Sequence, residues 1–77
     1  MLRVAFHTEL DRLNAEVAEL GAMVQEAIRK AVAALKDRDM ETGRQVIADD
    51  VRINSKRFKL ENDILVLIAT QQPLASD

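Results

Sequence analysis

From Phe6 the apolar positions fall at Leu10, Leu13, Val17, Leu20, Val24, Ala27 or Ile28, Ala31 and Leu35. Steps of four and three alternate over about four heptads, the spacing of one long amphipathic helix, and we place it at about 4–36. The positions between are Glu9, Asp11, Arg12, Glu16, Glu19, Gln25, Glu26, Arg29 and Lys30, as a solvated face requires. Glu26 and Lys30 stand four apart in the favourable order for an ion pair. Gly21 interrupts the pattern at a cost of about 1 kcal/mol relative to Ala. It is either tolerated or marks a close approach of a neighbouring backbone beside Ala15, Ala18 and Ala22.

Beyond Leu35 the run Lys36-Asp37-Arg38-Asp39-Met40-Glu41-Thr42 lacks apolar periodicity until Val46, so a short turn belongs there. Asp39 is the expected N-cap of the next helix. Glu41 then falls in the first turn, where its charge complements the helix dipole. Gly43 is a second interior glycine. The second helix is expected over about 40–71, giving two rods of roughly 45–50 Å lying antiparallel. Gln71-Gln72-Pro73 should close it, because proline disfavours helix in the residue before it and suits the first turn of a new one. A third helix is therefore expected to start at 73.

Placed at about 100° per residue, the second helix carries an apolar arc too wide for one neighbour. Ile47, Val51, Phe58 and Leu65 form one group, and Val46, Ile53, Leu60, Ile64 and Leu67 another, roughly 100–160° away. The opposite sector is mainly polar, with Arg52, Ser55, Lys56, Lys59, Asn62 and Asp63. A hairpin covers only one of the two groups. The other calls for a third helix or a second copy, most simply as a four-helix dimer, since a large apolar patch is otherwise exposed.

Asp50, Asn54 and Glu61 project between the two apolar groups, with Ile68 on the same line. A carboxylate aimed at a helix interface costs several kcal/mol unless it is hydrated, paired or bound to a cation. One account is an open, hydrated seam in which Arg57 neutralises a carboxylate. The other is a hard-cation or iron site assembled from carboxylates on facing helices. Asp50, Asn54 and Glu61 are the candidate ligands.

The chain has 77 residues, 11 basic and 13 acidic, for a net charge of −2, and no cysteine. That bounds it to one domain held by packing or partners, without disulfides or thiolate metal sites. Apolar residues make up 48% and only Phe6 and Phe58 are aromatic, a composition of long helices. The interleaved charges offer no footprint for nucleic acid. The longest apolar run, Ile64 to Ala69, is far short of the roughly 20 residues of a membrane span, and no signal peptide is evident. A soluble cytoplasmic chain is expected. His7 stands alone near the first helix start, Ser55, Ser76, Thr8, Thr42 and Thr70 have no base partner in a nucleophile arrangement, and no Gly-rich phosphate cradle occurs. An enzyme is not expected.

The order Phe6-His7-Thr8-Glu9-Leu10 with Leu13, Gly21 to Val24, Ala31 to Leu35, Asp39, Val46-Ile47, Asp50-x-x-Ile53-Asn54 and Gln72-Pro73-Leu74-Ala75-Ser76-Asp77 resembles the first part of the PhoU family of phosphate-uptake regulators. The resemblance spans nearly the whole chain, and its most specific pieces are the segment around Asp50 and the Gln-Pro ending. It implies an all-α fold, here an antiparallel hairpin of two long helices from a three-helix bundle, with residues 1–77 a partial domain completed by self-association. It further implies a regulator repressing phosphate-starvation signalling, peripheral to the inner face of the cytoplasmic membrane. The implied partners are the phosphate ABC transporter and a sensor histidine kinase. Some family members bind iron or another divalent metal through Glu/Asp-x-x-x-Asp motifs, and Asp50-x-x-x-Asn54 fits the pattern on the second helix. The clearest such motif lies on the third helix, which would follow Asp77. The rival expectation is a free-standing helical-hairpin dimerisation or adaptor module that shares only heptads with the family.

Overall fold

The computed structural model describes residues 2–75, with side-chain surroundings over 4–71. Two helices, α1 (Leu2–Asp37) and α2 (Met40–Ala75), make up the described chain. They lie antiparallel in a rod of 58 × 15 × 15 Å. Both are longer than their apolar spacing suggested. A helix once nucleated extends at the cost of ordering one residue per hydrogen bond. In particular α2 does not close at 71. It passes Pro73 and reaches Ala75, because proline already has a helical φ and forgoes a single amide bond to the preceding turn. Ser76 and Asp77 lie outside the described residues.

The connection is shorter than the charged stretch implied, only Arg38 and Asp39. The Arg38 amide donates to the Leu35 carbonyl at 3.3 Å and the Asp39 amide to the Ala34 carbonyl at 2.9 Å. This pair of bonds closes α1 as a Schellman motif, with Arg38 at the left-handed position, φ 54°. Glycine normally occupies that place. Asp39 then caps α2 as expected. Its Oδ1 accepts from the Thr42 amide at 3.1 Å and its Oδ2 from the Thr42 hydroxyl at 2.7 Å. These bonds hold the Asp39 carboxyl below the usual carboxylate range, the Thr42 hydroxyl contributing most.

Packing follows the heptads. Leu13 and Ala34 from α1, with Ile53 and Leu60 from α2, are the buried residues. Leu20, Ala27, Val46 and Leu67, one heptad away on the same ridges, are half-buried. A core of alanine and leucine on one ridge against Val46, Ile53, Leu60 and Leu67 on the other lets two rods approach along their whole length. Gly21 is exposed, and a Cβ there would meet nothing within 4 Å. Of the two readings of this glycine, the hairpin itself supports tolerance and gives no close backbone neighbour.

Candidate functional site

The two long edges of the hairpin differ in chemistry, and the difference begins in the sequence on either side of each core ridge. On one edge charges bridge the helices. Arg12 Nη2 lies 3.3 Å from Asp63 Oδ2, and Lys56 Nζ lies 3.7 Å from Glu19 Oε1. Arg12 also pairs with Glu9 and with Glu16, and Lys59 reaches Asp63 at 3.0 Å. Lys59 and then Arg12 hold the Asp63 carboxyl below its ordinary range, and Arg12 does the same to Glu9. Further along, Glu26 pairs with Arg29 and not with Lys30, Arg29 Nε standing 3.0 Å from Glu26 Oε2. The arginine fork offers two N–H groups to one carboxylate, which a lysine cannot match.

The other edge is apolar and open. Near the chain ends a groove is lined by Phe6, Leu10, Val17, Ile64 and Ile68. Near the turn a second groove is lined by Ala31, Leu35, Met40, Gly43 and Ile47. Beyond this edge, on the far side of α2, Ile47, Val51, Phe58 and Leu65 are 64–71% exposed. The two apolar groups read from the sequence thus separate as expected. Val46, Ile53, Leu60, Ile64 and Leu67 rest on α1, and the second group is left in water.

The three candidate ligands lie along the boundary between these groups. Asn54 Nδ2 donates to Asp50 Oδ2 at 3.2 Å, so these two side chains meet one turn apart. Glu61 is drawn instead to Arg57, whose Nη1 lies 2.5 Å from its Oε1. The neutralising role expected of Arg57 therefore falls on Glu61. Seven residues of helix separate Asn54 from Glu61, a rise of about 10 Å, too far for both to hold one ion. Among the described residues no group of three or more His, Asp or Glu side chains is gathered closely enough to enclose a metal. Asp50 and Asn54 offer at most one edge of a coordination shell.

Other polar side chains are engaged locally. The Thr42 hydroxyl serves the cap and the Thr70 hydroxyl donates to the Leu67 carbonyl at 2.9 Å. His7 is exposed, its ring edge-on to Phe6 with centroids 5.6 Å apart. Among the described residues no helix is long and apolar enough to cross a membrane.

The arrangement defines a class: an all-helical hairpin with one ion-laced edge and one uncovered apolar edge, the geometry of a helical-bundle component. The PhoU domain family matches residues 17–77. The chain belongs to the PhoU family. It is 28% identical to the phosphate-specific transport system accessory protein PhoU of Edwardsiella tarda, over 94% of this chain and 30% of that protein. It is 32% identical to the PhoU homolog of Rhizobium meliloti, over 95% of this chain and 31% of that protein. It is also 32% identical to PhoU homolog 1 of Mycobacterium leprae, over 99% and 34% of the two chains. The chain thus spans about a third of the length of these relatives. No solved structure matches it.

Proposed function

We propose that this chain is the helical-hairpin part of a regulator of phosphate uptake and phosphate-starvation signalling, acting by protein–protein contact and without catalysis. The observation that carries this reading is the family match over residues 17–77, taken with relatives whose names describe accessory proteins of phosphate-specific transport. The uncovered apolar edge supplies the physical means, because burying it on another helix is favourable at roughly 25 cal/mol per Å². The partners this reading assigns are a second copy of the chain, the phosphate ABC transporter and a sensor histidine kinase, met in the cytoplasm at the inner face of the membrane.

The test is a phosphate-repressed reporter in a bacterial host lacking its own regulator of this family. Expression of this chain is expected to lower the reporter in phosphate-rich medium, and Leu10→Glu, which charges the open groove, is expected to abolish that effect. An unchanged reporter, with the helical protein present in the cell, sinks the proposal and favours the plain dimerisation module.

A metal role is part of the same proposal in reduced form. Iron or another divalent cation would engage the Asp50 carboxylate and the Asn54 amide oxygen, with the remaining ligands brought by a helix from outside the hairpin. Glu61 could serve only a separate ion, after release from Arg57. Metal analysis of untagged protein should find less bound cation in Asp50→Ala than in the parent, and equal trace amounts in both would remove the site.

A further inference from the structure

The ion-laced edge changes character halfway along. Arg12 faces Asp63 and Glu19 faces Lys56, so each step of seven residues along α1 is matched by a step of seven back along α2, as two packed heptad ridges require. One further step toward the turn sets Glu26 opposite Asp49, two carboxylates where the earlier positions carry opposite charges. Among the described residues the ion pairs that cross from helix to helix stop at Glu19. The edge opens instead into a groove of about 320 Å³, with Met23, Ala27 and Ile53 on its apolar floor and Glu26, Asp49, Lys30 and Arg52 at its rim. It lies across the core ridge from the open apolar edge, so a third helix or a second copy seated on that edge leaves it uncovered.

We infer that this groove receives an arginine side chain of a partner protein, its guanidinium between Glu26 and Asp49 and its stem on Met23, Ala27 and Ile53. Asp49 has the capacity for such a donor. Its nearest cation, Arg52 Nη1, stands 3.6 Å from Oδ1, beyond the about 2.7–2.9 Å of a charge-assisted hydrogen bond. Glu26 is held by Arg29 on the outer side, yet each of its oxygens has two lone pairs and keeps one. Among the described residues no three acidic or histidine side chains gather closely enough for a metal ion, so the donor that fits is broader than an ion. A guanidinium is planar and spreads five N–H groups over two carboxylates, and its methylene stem suits an apolar floor. An ammonium is a point donor and serves two opposed carboxylates less well.

The groove gives the protein contact of the proposed function a place and a chemistry, and it rests on that reading for the partner being a protein. The experiment titrates the 77-residue chain at constant ionic strength with N-acetyl-arginine amide, and separately with N-acetyl-citrulline amide, which has the same shape and no charge. Backbone amide resonances report binding. The arginine derivative is expected to shift residues 22–30 and 49–53 saturably, and the citrulline derivative to leave them in place. Asp49→Asn should weaken binding about tenfold, the effect of removing one charge-assisted acceptor. Glu16→Gln, in the bridged half of the edge, should leave the affinity unchanged, with circular dichroism showing both variants helical. Equal shifts by the two derivatives, shifts spread evenly over the whole edge, or full affinity in Asp49→Asn would each overturn the groove as an arginine site. Putrescine displacing the arginine derivative at lower concentration would make the ligand a free diamine and overturn the protein partner. None of these outcomes depends on the phosphate reporter, so the two proposals fail separately.

Discussion

Arg12 and Asp63 are 51 residues apart in sequence and meet at 3.3 Å across the hairpin. They set the register of the two rods at the end remote from the turn, where the turn itself has least leverage. Arg12 is also held by Glu9 and Glu16 on its own helix, so the guanidinium is already positioned when Asp63 arrives. Less side-chain entropy is lost in making the contact than an isolated exposed pair would lose.

This network fixes the pH response. Asp63 and Glu9 ionise below their ordinary range because Lys59 and Arg12 favour their charged forms. Asp39 and Glu26 do so through Thr42 and Arg29. A carboxylate depressed in the folded state adds stability that is fully present above its unfolded pKa, about 4, and is lost as pH falls through the lower folded value. Thermal melts followed by circular dichroism are therefore expected to be flat from pH 7 to about 5 and to fall steeply below 4. Asp63→Asn should lower the melting temperature at pH 7 and flatten the acid limb. An acid limb as steep as the parent's would show that Asp63 is not part of it.

Burial divides α2 into two kinds of leucine. Leu60 is 4% exposed and Leu65 is 65% exposed. Leu60→Ala should cost about 2–3 kcal/mol, the lower part of the range for a core leucine, because a thin two-helix interface can partly collapse around the gap. Leu65→Ala should cost the single hairpin almost nothing. Urea unfolding at a concentration where the chain is monomeric separates the two, and equal losses would contradict the packing described.

The turn holds a backbone strain. Arg38 sits at φ 54°, where any residue with a Cβ is disfavoured. Arg38→Gly is expected to stabilise the hairpin by about 1 kcal/mol, since relief of the left-handed penalty outweighs the extra freedom of glycine when unfolded. A lower melting temperature for this variant would place the strain elsewhere.

Gly21 works in the opposite sense. Its φ is not positive and a Cβ there has open space, so Gly21→Ala should stabilise by about 1 kcal/mol through helix propensity alone. If the variant is instead less able to repress in the phosphate reporter while being more stable, the open space beside Gly21 is filled by a partner in the working assembly.

The alternation of four and three in Phe6 to Leu35, and the double apolar arc of α2, set the helices, their approximate span and the width of the unmet face without reference to any contact. Asp39 as a cap was equally legible, because a carboxylate three residues before Thr42 satisfies the amides of a first helical turn by local geometry alone. Ligand cooperation was not legible in that way. Periodicity placed Asp50, Asn54 and Glu61 on one line, but axial rise separates Glu61 from Asn54, and only side-chain placement gave Glu61 to Arg57. The same holds for Arg12, which reads as one solvated charge among many until α2 folds back and brings Asp63 beside it. Helical periodicity is a property of neighbours along the chain, whereas ion partners across a hairpin depend on the register of two rods, which the Arg38 turn and the packing of Leu13, Ala34, Ile53 and Leu60 decide together.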